Sequence, residues 1–149
     1  MQTGSELKLD NEIIERVNGA LASKRPIAVS YVDSDNQPHL SLRGSTHVHS
    51  ADQLAIWVRH AEGGLAGAIR SNPAVSLLYR DSDSRTTYVF SGRARIEDDS
   101  AVREAVYLAC PEVERDHDTE RTGVAVLIDL DQVKGGTVGG AQISMERRQ

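Results

Sequence analysis

The short spacing of the strand-like segments limits most strongly what this chain can fold into. Six runs rich in β-branched and aromatic residues stand out: "IAVSYVD" (27–33), "HLSLRGSTHVH" (39–49), "LAIWVRH" (54–60), "AVSLLYRD" (74–81), "TTYVFSGRARIED" (86–98) and "GVAVLIDLDQV" (123–133). The connections "SDNQP", "SADQ" and "SDSR" are turn chemistry, too short for a helix that crosses back over a sheet. The first three runs are therefore expected to form an antiparallel meander, with Leu40, Leu42 and Val48 as the apolar members of the second. The whole reads as a mainly β protein, a six-stranded antiparallel barrel with helices packed outside, not a doubly wound sheet.

About three helices flank these strands. Asp10 is placed to cap a helix whose Ile13, Ile14, Val17 and Leu21 share one face, and which fails by Lys24-Arg25-Pro26. A second is expected over 64–71. A third, over 98–110, carries Val102, Val106 and Ala109 in one stripe and stops at Pro111; residues 111–121 read as a polar helical turn or loop. Residues 1–9 read as a loose arm, 10–133 as the one domain and 134–149 as a Gly-rich tail.

Charge and composition exclude several functions. The net charge is −5 with acids and bases mixed, and no basic block offers itself to phosphate backbones, so nucleic acid is not an expected partner. No apolar run reaches the ~18 residues of a membrane span, and "MQTGSELKLDNE" has no signal-type apolar core. The single cysteine, Cys110, forms no internal disulfide and suits a reducing, cytoplasmic setting. It reads as buried packing at a helix end. No strand is followed by GxGxxG or GxxxxGK[ST], so neither phosphate-loop fold is expected.

The order of "VDSDNQPHLSL", "LAIWVR", the helix before "NPAVSLLYRD", and "YVFSGRARIEDD" with its Gly92-Arg93-Ala94 element resembles the pyridoxamine 5'-phosphate oxidase-like, FMN-binding split-barrel superfamily over residues 10–133. The resemblance implies a six-stranded split barrel, a homodimer, and FMN at the dimer interface; related deazaflavin-dependent reductases use the same cleft. It also implies phosphate contacts on the second strand and at the mid-chain helix start, and ring contacts at the end of the third strand. The sequence departs from that pattern: Ser41 stands where the strand's Arg is expected, Thr46 where its Lys is, and Gly63-Gly64-Leu65 replaces the cationic Ser-Arg-Lys. It has no C-terminal substrate-recognition segment of the true pyridoxamine phosphate oxidases, so that reaction is not assigned.

The candidate cofactor-binding residues are accordingly Arg43, Ser45 and Thr46, then Trp57, Val58 and Arg59, then Gly63, Gly64 and Leu65. Arg43 offers a bidentate guanidinium, or is an ordinary surface residue. Gly63-Gly64 lets an anion approach a helix start, or simply supplies positive φ. Trp57 lies beside a ring, or in the core. His47 and His49 share a strand face, but no third metal ligand can be placed, so no metal is expected; haem ligation is a minor alternative. The expected function is an FMN- or deazaflavin-dependent oxidoreductase of a small organic substrate, the alternative being a non-catalytic flavin or haem binder. Catalytic residues are not identifiable, because a flavin carries the redox chemistry itself.

Overall fold

The computed structural model describes residues 5–148. They form a mainly β structure with helices at its periphery. Strand β1 (Ser5–Glu6) precedes helix α1 (Asn11–Asn18), followed by β2 (Ile27–Val32), β3 (Pro38–Arg43), β4 (His47–Ser50) and β5 (Gln53–Val58). Helix α2 (Gly64–Ile69) leads to β6 (Ala74–Asp81) and β7 (Thr86–Glu97). Helices α3 (Ser100–Ala109) and α4 (Glu112–Arg115) precede β8 (Val124–Thr137) and β9 (Gln142–Glu146).

Local chemistry explains the helix starts. Asp10 Oδ1 accepts from the Ile13 amide at 2.9 Å, and Ile13 and Val17 turn into the core. Asp99 caps α3 in the same way, through the Val102 amide at 3.0 Å.

All nine strands join one mixed sheet, with hydrogen-bonded order β1-β9-β8-β7-β6-β2-β3 and with β5, which also carries β4, branching from β8. β8 is the spine. β7 lines one edge along nearly its full length, while β5 takes Val124–Asp129 on the other edge and β9 takes Gln132–Gly136. Arg147 pins the fork: its Nε donates to the Leu130 carbonyl at 2.8 Å, and its guanidinium pairs with Asp52 at 3.1 Å. Gly92 backs onto the Asp129 carbonyl so closely that a Cβ would collide with it, which accounts for the Gly in Gly92-Arg93-Ala94.

The apolar groups divide into two cores. Leu54, Ile56 and Val58 of β5 face the main core with Phe90, Ile128 and Leu130; Ala55 and Trp57 face a smaller one under α3 with Val106, Tyr107, Cys110, Ala125 and Leu127. Burial on both faces is why "LAIWV" reads as an unbroken apolar run.

Several expectations need correction. The sheet has nine strands among the described residues, includes one parallel pair (β1 with β9), and shows no pairing that closes it into a six-stranded antiparallel barrel. Four helices flank it, the short α4 falling inside the expected polar turn. The segment 39–49 is two strands, broken where the Thr46 amide donates to the Arg43 carbonyl at 3.2 Å. β3 pairs with β2 and β4 with β5, so no three-strand meander forms. Leu40 and Leu42 point outward, 79% and 66% exposed. The Gly-rich stretch after 133 continues β8 and supplies β9, whose Met145 is buried. Residues 1–4 of the expected arm lie outside the described residues; its Leu7 and Leu9 are buried, and the Leu7 amide donates to the Glu146 carbonyl. No helix among the described residues is long and apolar enough to cross a membrane.

Candidate functional site

The site is assembled by the turn between β3 and β4. The Ser45 hydroxyl binds the Trp57 backbone, and the Thr46 hydroxyl donates to the Arg43 carbonyl at 2.7 Å. These bonds hold the end of β3 against the end of β5. Arg43 and Arg59 consequently line one pocket of about 100 Å³, with Ser45, Trp57, His60 and Glu114. Gly44 makes room for Glu114, whose carboxylate occupies the space a Cβ there would need.

The two guanidiniums are uncompensated. Arg43 is half-buried, and its Nε donates to Ser41 Oγ at 2.9 Å. Neither Arg43 nor Arg59 has a carboxylate within ion-pairing distance among the described residues, although Glu114 lines the same pocket. Burial pushes the Arg43 pKa below its ordinary value; nearby Tyr31 opposes this and Arg59 adds to it. A half-buried guanidinium and an exposed one lining one space suit an anion that bridges them.

Other candidates are committed elsewhere. The hydroxyls of Ser45 and Thr46 serve the backbone. Trp57 is buried: its Nε1 donates to Asp118 Oδ2 at 2.9 Å, its ring meets Tyr107 edge-on with centroids 5.1 Å apart, and the Arg103 guanidinium lies over it. Asp118 also accepts from Thr122 and Gly123; burial pushes its pKa up, but these bonds together with that from Trp57 hold it below the usual range. The Val58 and Leu65 side chains belong to the main core. Cys110 is buried too, its thiol pushed up to about 12 chiefly by burial, which suits packing rather than nucleophilic work.

Gly63 and Gly64 line a separate pocket of about 280 Å³. Both have φ in the left-handed region, 73° and 50°, which a glycine adopts without strain. An added Cβ at Gly63 would meet nothing within 4 Å, and one at Gly64 only the Tyr31 hydroxyl at 4.0 Å. The glycines thus serve the turn and also leave open space before it. Facing them are Tyr31, Asp33 and His39. His39 stacks flat on Tyr31, centroids 4.9 Å apart and planes 6° apart, and its Nε2 meets Asp33 Oδ2 at 2.7 Å. The sequence reading passed over this pair. The available signal was the hairpin itself, because its register sets His39 opposite Tyr31 and leaves Asp33 at the start of the turn that follows Val32.

The remaining histidines do not assemble a metal site, and no cluster of three potential ligands occurs among the described residues. His47 is 4% exposed; its Nδ1 lies 2.8 Å from the Ser45 carbonyl and its Nε2 has no partner among the described residues. Burial pushes its pKa below the ordinary value. His60 and His117 are exposed, although His60 lines the rim of the Arg43 pocket.

No family model and no curated protein sequence matches the chain. Solved structures do. HupZ from Group A Streptococcus superposes with a TM-score of 0.66 at 18% identity, covering 87% of this chain and 97% of its own. A pyridoxamine 5'-phosphate oxidase-related, FMN-binding protein from Nostoc punctiforme gives 0.67 at 14% identity, covering 91% and 93%. A NimC/NimA family protein from Clostridium acetobutylicum gives 0.68 at 15% identity, covering 89% and 90%. The nine-stranded sheet, with its peripheral helices and the forked spine of β8, has the fold of the pyridoxamine 5'-phosphate oxidase-like, FMN-binding proteins.

Proposed function

We propose that this chain is an oxidoreductase that holds a flavin nucleotide, FMN or a deazaflavin, by its phosphate at Arg43 and Arg59 and acts on a small organic substrate. The observation that carries the reading is the pair of guanidiniums without a carboxylate partner. Six other arginines (Arg16, Arg25, Arg93, Arg95, Arg121 and Arg147) find carboxylates, and Arg70, Arg80, Arg103 and Arg115 donate to neutral oxygens; what sets Arg43 apart is that it is half-buried and shares a pocket with Arg59. The donor set fits the anionic end of such a nucleotide. Ser41 orients the Arg43 fork, and Ser45 fixes its distance from Arg59. When bound, the nucleotide supplies hydride or electron transfer, and the chain's residues bind and orient it.

The space beside Arg43 suits a phosphate, not a fused ring system. A second copy of the chain supplies the missing wall in this reading, as a homodimer. Leu42, Ala28, Leu78 and Val89 lie in one cross-strand row over β3, β2, β6 and β7, and three of them are exposed large apolar groups. Such a row suits an interface. The buried thiol of Cys110 is consistent with a reducing cytoplasm.

Fluorescence titration of the purified protein with FMN and with a deazaflavin tests the reading. Saturable quenching is expected, weakened on the order of 10- to 100-fold in Arg43→Ala and in Arg59→Ala. Wild-type protein that leaves both flavins' fluorescence unchanged overturns it.

A further inference from the structure

We propose that His39 is a catalytic base and acid for the pocket walled by Gly63, Gly64 and Gly67, with Asp33 as its positioning residue. The proposal deepens the preceding reading and rests on it only for the source of electrons in a redox reaction; the proton chemistry belongs to His39 itself.

Asp33 is fixed before His39 reaches it. Its Oδ1 accepts from the amides of Asp35 at 2.8 Å and Gln37 at 3.0 Å, which leaves Oδ2 for His39 Nε2. The His39 bond, and then these amides, hold the Asp33 carboxyl below the usual carboxylate range. An ionised carboxylate only accepts, so Nε2 carries the hydrogen and Nδ1 carries the lone pair of the neutral ring. The stack on Tyr31 sets the plane of that ring.

Nδ1 of His39 and the hydroxyl of Tyr31 have no partner among the described residues, and both residues line the pocket. The opposite wall is backbone at Gly63, Gly64 and Gly67. Stabilising the hairpin turn requires only Asp33 and its two amides. Neither the stacked imidazole nor the glycine wall is needed for that, and together they make a slot with a positioned base on one side.

A small planar organic molecule with an acidic C–H or O–H matches the slot. Its proton passes to the Nδ1 lone pair, and the bonding electrons stay in the ligand, where the Tyr31 hydroxyl can donate to the oxyanion. The imidazolium so formed faces the Asp33 carboxylate, then returns the proton to product or water. In a two-electron reduction the same group delivers the proton that accompanies hydride.

The test needs no cofactor. 5-Nitrobenzisoxazole loses a carbon-bound proton to a base; the C–H electrons complete the C≡N bond, and the N–O electrons leave on a coloured phenolate. Wild-type protein is expected to catalyse this on the order of 100-fold faster than His39→Gln. In Asp33→Asn the amide oxygen stays with the backbone of Asp35 and Gln37 and the NH₂ turns to Nε2. The ring hydrogen then moves to Nδ1, seen as a tautomer change by long-range ¹H–¹⁵N NMR, and the elimination slows similarly. Equal rates in wild type and His39→Gln, or an Nδ1–H tautomer in wild type, overturns the proposal. Elimination without flavin binding supports the base while refuting the oxidoreductase reading; flavin binding without elimination does the reverse.

Discussion

The Ser45 hydroxyl and the Trp57 backbone hold one another in both directions: Oγ donates to the Trp57 carbonyl and accepts from the Trp57 amide, each at 3.0 Å. Ser45 is buried, so Ser45→Ala leaves two polar backbone groups without that partner. The expected cost is about 1–3 kcal/mol of stability, read by urea unfolding with Trp57 fluorescence as the signal. Because the bond also sets Arg43 beside Arg59, flavin affinity should fall with it. Unchanged stability and affinity would show that the turn is held by other means.

His47 makes stability depend on pH. Its folded pKa lies below the ordinary 6.5 because the ring is buried. Above about pH 6.5 both folded and unfolded chains carry the neutral ring and nothing is lost. As pH falls below that value the unfolded chain binds the proton first, so stability declines. His47→Leu should flatten the dependence below about pH 6.5. An identical slope in the variant would assign the decline to other groups.

Asp81 acts at more acid pH. It receives Arg16 at 3.2 Å, Arg25 at 3.0 Å and the amide of Asp83 at 3.0 Å. Burial pushes its pKa up, but hydrogen bonds from Ser84, Arg16 and Asp83 outweigh this and bring it from 3.8 to about 2. The stabilisation is complete above the unfolded value of 3.8 and is lost as pH falls towards 2. Asp81→Asn should be less stable at neutral pH and should lose less on acidification over that window, followed by circular dichroism.

The exposed row on β3, β2 and β6 gives a prediction about assembly. Sedimentation should find wild-type protein as a dimer, and the double variant Leu42→Lys, Leu78→Lys as a folded monomer with weakened flavin binding. A wild-type monomer at micromolar concentration would remove the proposed second wall of the site.

The candidate residues divide by how far the sequence reading reached. Arg43 and Arg59 were named from the resemblance, as residues of the second strand and of the end of the third; that the two line one pocket was not legible, because β3 and β5 do not pair. Ser45, Thr46 and Trp57 were also named, but their side chains serve the turn and the second core: a hydroxyl on a turn looks the same whether it meets a ligand or a backbone carbonyl. His39 and Asp33 were missed because a His beside a turn has no periodic signature, and only the hairpin register sets them together.

Chemistry within a few residues of chain determined the mainly β character, the Asp10 cap, the turns after Asp33 and Asp81, and the need for glycine at 63 and 64. Those features are set by local sterics and local hydrogen bonds, which the sequence carries in full. The first helix, expected to run to Lys24-Arg25-Pro26, instead ends at Asn18 with Gly19 as its C-cap. The tertiary structure alone decided the forked pairing of β8, the use of the Gly-rich C-terminal stretch as β9, and the outward turn of Leu40 and Leu42. It also decided the meeting of two unpaired guanidiniums. Each of these depends on which distant strand or helix covers which face, and alternation along one strand cannot say which of its two faces will be covered.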